Sequence, residues 1–342
     1  MRSAAFRRPS YRWPNFLSLL VVSGAVSAAY INCDPMLAGR EPTHRLAALD
    51  ARPTLKLPPL PSAAASLPAP GEPSEAAASD APSASAAAAP AVNDSVLRGK
   101  WALAFNVALL ERGLARLESI PSYSFTITKQ ERVGQDLQPP QVMNVKLRHN
   151  PFSLYMKWID GEGPGVRGRQ LLYVQGENDN NLLVLPGGIA GRLSGTLSLS
   201  LDDPRVTSEA RHPPNECGLK HLTETLLGFQ RKDLAAGCPG VTCELHADQI
   251  YADRPCYLFI SSYDSPERSP MYRKAAVFID KEYSLPVCIR NYTWGSPDIP
   301  RDQLDDLTLV EAYAYSEIDL QPESQYAEED FSRTNPKYRM RR

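Results

Sequence analysis

His149, His212, His221 and His246 are the side chains best suited to proton transfer at neutral pH, and they are scattered through different segments. General acid–base work needs such groups held against a partner near a cleft, and no spacing in the chain announces that. His221 falls on a predicted helix three residues after Gly218, where histidine is more often a surface or capping residue. Asp202-Asp203 and Asp305-Asp306 are adjacent carboxylates. Neighbours on a strand point to opposite faces, so neither pair is a ready dyad. Gly187, Gly188 and Gly191 in PGGIAGR lack the Lys-Ser/Thr of a phosphate loop, and a turn explains them. The chain contains no G-x-S-x-G elbow and no H-E-x-x-H. The expectation is a protein without catalytic residues, without a cofactor, and not an enzyme.

The cysteines offer other chemistry. Cys238 and Cys243 bracket the turn signal Pro239-Gly240, so a small disulfide staple is expected there. Cys256 and Cys288 each open a predicted strand and could pair if those strands lie close. Cys238, Cys243 and His246 have a vaguely ligand-like spacing, but structural zinc wants a fourth ligand, so no metal site is expected. With Cys33 set aside, five cysteines remain, and an odd count leaves at least one free thiol.

The clearest pattern is physical rather than catalytic. In Met143–Ile159, Met143, Val145 and Leu147 alternate with Asn144, Lys146 and Arg148. After an Asn150-Pro151 corner, Phe152, Leu154, Met156 and Trp158 alternate with polar or smaller residues. A period of two means paired strands with one greasy face. The Met and aromatic content of that face suits the lining of an apolar slot as well as a core.

Elements must position that face. Leu97–Ser119 predicts a helix, with Leu103, Val107, Leu110, Leu114 and Leu117 as its stripe and Pro121 as its stop. Tyr123–Arg132 is an alternating strand. Gln170–Glu177 and Leu182–Leu185 form a hairpin around Asn178-Asp179-Asn180-Asn181, residues that tolerate positive φ. Pro186–Pro214 is irregular, with a short strand at Leu197, Leu199 and Leu201. Glu216–Leu234 is a second helix, with Leu219, Leu222, Leu226 and Phe229 as its stripe. Strands follow at Val241–Tyr251, Cys256–Tyr263, Tyr272–Asp280, Pro286–Trp294 and Leu307–Ile318. These predict an α+β fold: a strongly curved antiparallel sheet, a half-barrel, covered on its concave face by two helices.

Three regions are expected. Residues 1–31 carry a basic leader and the apolar run Phe16–Ile31, the layout of a signal peptide or signal anchor. Residues 32–94 are an Ala/Pro/Ser-rich linker with little to bury, expected to be disordered. Residues 95–342 make one folded domain. The tail Lys337–Arg342 is expected to be solvated. A net charge of -2 argues against nucleic-acid binding.

The blocks YSFTITKQERV, VKLRHNPFSLYMKW, LLYVQGENDNNLLV, VFIDKEYSLPVCIRNYTW and DFSRTNPKYRM, in that order, resemble a family of exported bacterial proteins, the domain of unknown function numbered fifteen seventy-one. The resemblance covers Trp101 to Met340 and implies no mechanism. More distantly, a helix, a strand ending Gln-Glu-Arg, a Lys-x-Arg…Pro-Phe corner and an Asp…Leu-Pro hairpin resemble the lipoprotein-carrier superfamily. That resemblance implies a half-barrel around an apolar cavity. It also implies a lid gate, for which Arg148 is the matching position. Here His149 and Asn150 intervene before Pro151, and alternation puts Arg148 opposite the greasy face.

The expected function is therefore that of an exported binding protein of the periplasm or cell envelope. It would hold an acyl chain, lipid or lipoprotein against Met143, Val145, Leu147, Phe152, Leu154, Met156 and Trp158. The membrane would be touched only through residues 16–31, if these remain uncleaved. The alternative is an interaction or sensor module for another envelope protein, with Tyr313 and Tyr315 as candidate anchors.

Overall fold

A computed structural model describes residues 96–320 and 326–340. The leader, the linker and Cys33 lie outside the described residues. The chain builds one antiparallel sheet of thirteen strands: β1 (Val96–Arg98), β2 (Ser122–Val133), β3 (Asp136–Leu137), β4 (Gln141–Arg148), β5 (Ser153–Asp160), β6 (Gln170–Val174), β7 (Leu182–Leu185), β8 (Leu197–Leu199), β9 (Val241–Tyr251), β10 (Arg254–Tyr263), β11 (Lys274–Asp280), β12 (Pro286–Tyr292) and β13 (Leu309–Asp319). The order is β1-β9-β10-β11-β12-β13-β2-β4-β5-β6-β7-β8, with β3 beside β2. The sheet curves without closing into a barrel, so β1 and β8 are its edges.

Two long helices cover the concave face, α1 (Gly99–Glu118) and, after the short α2 (Gly188–Ser194) and α3 (Pro204–Thr207), α4 (Leu219–Ala235). Helix α1 buries Leu103, Val107, Leu110 and Leu117, the expected stripe less Leu114. It approaches the β11–β12 turn so closely that a Cβ on Gly113 would sit 2.1 Å from the Ser284 carbonyl oxygen. Arg112 Nε donates to Ser284 Oγ at 2.7 Å on the same contact. Helix α4 is started from the sheet. The Tyr123 hydroxyl accepts from Leu219 N–H at 2.9 Å, meeting one of the donors a helix N-terminus leaves open. Gly218 precedes it with φ 115°, a left-handed backbone that favours glycine, and a Cβ there would strike the same hydroxyl. No helix among the described residues is long and apolar enough to cross a bilayer.

Three expectations are corrected. Cys238 and Cys243 are free thiols, not a disulfide. Backbone bonds close that loop instead, from Cys238 N–H to Asp233 O at 2.9 Å and from Val241 N–H to Cys238 O at 3.4 Å, while Cys243 is buried in the helix-side core. Cys256 and Cys288 are also free, because β11 lies between their strands. The tail is not simply solvated: Tyr338 and Met340 bury themselves with Phe331 against Tyr155, Leu172, Val174, Leu183 and Leu185 on the convex face. An added short helix, α5 (Leu304–Thr308), leads into β13.

Candidate functional site

Between the concave face and α4 lies a cavity of about 870 Å³. Helices and sheet do not interlock across it. Its apolar wall runs from Ile127, Met143 and Met156 through Leu171 and Val184 to Val277 and Ile289, with Leu222 and Leu226 opposite on α4. Strand alternation explains the choice: these residues share the face that looks toward the helices. Phe229, expected in the helix stripe, is 49% exposed and lines the cavity, and Leu227 takes the buried place instead.

Of the greasy residues singled out in the sequence, Met143, Met156 and Trp158 line the cavity. Val145, Leu147 and Leu154 belong to the adjoining packed core, and Phe152 packs at its margin. Trp158 Nε1 donates to Gln141 Oε1 at 2.9 Å, and its ring lies under the Arg169 guanidinium. Arg148 stands elsewhere. It donates to Ser153 Oγ at 2.9 Å and lies over the Phe331 ring. Tyr313 and Tyr315, candidate outward anchors, instead line the cavity.

A polar wall faces the cavity as well, and its members are far apart in sequence. Register places Asn291 beside Glu311 and Glu311 beside Glu131 across three adjacent strands. Two carboxylates directly opposite repel, and the segment before α4 offsets this. Arg211 donates from its backbone N–H to Glu131 Oε2 at 3.2 Å and from Nε to Glu311 Oε2 at 2.8 Å. His212 Nε2 reaches Glu311 Oε2 at 3.2 Å, while its Nδ1 is 3.8 Å from Glu216. The Tyr272 hydroxyl and Asn291 Nδ2 donate to Glu311 Oε1, and the Tyr313 hydroxyl to Glu131 Oε1. Lys129 bonds Glu131 at 3.0 Å, and Arg169 pairs with Glu209. His221 comes within 3.7 Å of Glu216.

Burial works against charge fully on Glu311 and only in part on His212, whose side chain is about half exposed, and their mutual bonds outweigh it. Burial alone would lower the His212 pKa, but hydrogen bonds to Glu216 and Glu311 carry it up to about 10. Burial alone would raise the Glu311 carboxyl, but His212, Arg211 and Asn291 hold it down at about 2. A raised histidine stabilises the fold fully below its ordinary value of 6.5 and loses that contribution as pH rises through about 10. The chain's denaturation midpoint should therefore fall between about pH 6.5 and 10. His212→Gln should start lower and lack that part of the slope. An unchanged slope would separate His212 from the cluster. Among the described residues, no three His, Cys, Asp or Glu side chains converge as metal ligands.

Spacing could not reveal this wall, because Glu131, Arg211, His212, Asn291 and Glu311 come from three strands and one loop. The available signal was alternation in Glu311, Tyr313 and Tyr315, which sets the glutamate on the same face as two aromatics.

Residues 120–340 match the model of a family described as "Protein of unknown function (DUF1571)". No curated protein sequence matches the chain. Among solved structures, the lipoprotein LppX of Mycobacterium tuberculosis is similar at 12% identity and a TM-score of 0.36, over 64% of this chain and 99% of that one. A putative outer membrane lipoprotein-sorting protein domain from Vibrio parahaemolyticus is similar at 12% identity and a TM-score of 0.31, over 68% and 97%. A LolA superfamily protein from Nitrosomonas europaea gives 12% identity and a TM-score of 0.26, over 66% and 96%.

Proposed function

The chain belongs to the DUF1571 family, and we propose that it is a non-catalytic exported binding protein holding the acyl chain of a lipid or lipoprotein between sheet and helices. The observation that carries this reading is the unfilled cavity of about 870 Å³ behind an apolar wall. Small-molecule sites occupy roughly 300–1,000 Å³, and core side chains elsewhere in proteins leave few voids larger than water. Burying a sixteen-carbon chain would release about 12 kcal/mol gross, at ~0.8 kcal/mol per methylene. Association and ordering costs offset much of that. The basic leader and the apolar run Phe16–Ile31 support export to the envelope.

The test is to purify the full chain, record its native mass and extract it with organic solvent. Copurifying acyl lipid is expected. Ala275 lines the cavity from β11 and is half-buried, so Ala275→Trp places an indole in the unfilled space with little disturbance of the core. That variant should lose the lipid and unfold at the midpoint of the delipidated unmodified chain. A clean apo mass from a chain that also refuses added oleate would sink the reading and favour docking of another envelope protein.

A further inference from the structure

Two of the three most exposed large hydrophobic side chains among the described residues stand together on α2: Ile189 at 72% and Leu193 at 83%. Four residues apart on a helix, they share one ridge. The opposite side of the helix fixes that ridge outward. Gly191 is buried there, and a Cβ on it would sit 1.9 Å from the Pro186 carbonyl oxygen. The start of the helix is held as closely to the β5–β6 loop. Gly187 N–H donates to Gly165 O at 2.8 Å, and a Cβ on Gly187 would meet the Arg167 carbonyl oxygen at 2.1 Å. Rolling α2 to bury Ile189 and Leu193 would bring side chains into contacts that only glycine fits.

Two cations flank the ridge. Arg192 lies beside it on α2, about 100° round the helix from Leu193, and Arg167 lies on the loop at the helix start. Both are exposed, and among the described residues neither side chain has an ion pair or a hydrogen bond. The acids leading into that loop are placed elsewhere. Asp160 sits in register with Val142 on β4, and Glu162 lines a small cleft with Gln138 and Glu209.

Aliphatic side chains projecting between unpaired cations match an anionic lipid surface, which takes the apolar ends into its headgroup boundary and the guanidinium groups at its phosphates. A second copy of the chain fits poorly. It would bring the same cations face to face, and two side chains fall far short of the roughly 800 Å² per partner of a standard protein interface.

We propose that α2 and the β5–β6 loop dock the folded domain on an anionic bilayer, a membrane contact separate from the leader. Both elements spring from the cavity. The loop follows Trp158 and precedes Arg169, and α2 follows β7, whose Val184 stands in the apolar wall. Docking there sets that end of the cavity toward the bilayer from which an acyl chain would be drawn. Only this link to loading rests on the acyl-binding reading above; the docking does not.

The test is hydrogen exchange of the full chain with mixed phosphatidylcholine–phosphatidylglycerol vesicles, which reads residues 187–195 locally whether or not the leader is embedded. Exchange there should slow on these vesicles, and slow less on pure phosphatidylcholine. Leu193→Asp, at an exposed site that leaves the core alone, should abolish the protection. Arg192→Ala at saturating lipid should cut the protection about fivefold, the share of one basic residue near an anionic surface. No protection on anionic vesicles, or equal protection in Leu193→Asp, overturns the proposal. Protection that appears without vesicles and grows with protein concentration overturns it in favour of a second copy. A fluorescent acyl lipid in the same vesicles should pass into the unmodified chain faster than into Leu193→Asp, with equal final loading. Equal rates overturn the link to loading. Docking without any loading sinks the acyl reading and leaves the docking standing.

Discussion

Replacing Glu311 by alanine is expected to destabilise the protein by about 3–5 kcal/mol, the range for removing one partner of a buried ion pair. The carboxylate is 2% exposed and takes hydrogen bonds from Arg211, His212, Tyr272 and Asn291. Alanine would leave the Arg211 guanidinium and the His212 imidazolium beside a void, and would orphan a hydroxyl and an amide. Glu311→Gln should be costly too, because a side-chain NH₂ would face groups that themselves donate. Urea denaturation near pH 6.5 measures both, with an unchanged denaturant slope showing that the fold is retained. The variant should also return the His212 pKa toward its ordinary value, visible by NMR, and raise hydrogen exchange in the segment 208–218 that Arg211 and His212 clip to the sheet. A loss within the roughly 0.5 kcal/mol of ordinary surface changes would mean that water, not Glu311, satisfies the cluster.

The architecture was legible because it rests on local rules. Alternation, or for β6 and β7 the Asn-Asp turn between two apolar runs, located every strand except the short β1 and β3, and the three- and four-residue recurrence of leucine located both long helices. Asn178, Asp179 and Asn180 carry the positive φ that their residue types allow. The family blocks between Trp101 and Met340 correspond to the matched span, residues 120–340.

The site was legible only in its apolar half. Met143, Met156 and Trp158 stand out by alternation, and all three line the cavity. The same alternation holds for Val145, Leu147 and Leu154, which are core. Whether a greasy residue faces a void or a neighbour depends on how far α4 stands off the sheet, a tertiary distance that no periodicity encodes. The Glu131–Glu311–Asn291 row was hidden for a related reason. It exists only because β2, β13 and β12 are neighbours in that register.

The convex face supplies the second large effect. Truncation after residue 325 should expose a contiguous apolar patch and bring aggregation, because the C-terminal segment is its cover. The clue in the sequence was LLYV and LLVL in β6 and β7, runs without alternation that imply burial on both faces. Phe331, Tyr338 and Met340 provide that burial, with Tyr338 stacked on Tyr155 at 3.8 Å between ring centroids. Lys146 fastens the segment through Asp330 at 2.6 Å, and its ammonium lies over the Tyr326 ring. Each of the three buried side chains stabilises the fold by about 1.5–3 kcal/mol, so losing them together should cost about 5 kcal/mol or more. Size-exclusion chromatography and binding of an apolar dye measure the exposure. The milder Met340→Ala, which opens a cavity at a fully buried position, should cost about 2–5 kcal/mol and serves if the truncated chain precipitates. A truncated chain that stays monomeric with its denaturation midpoint intact would show that the sheet closes over its own outer face without this segment.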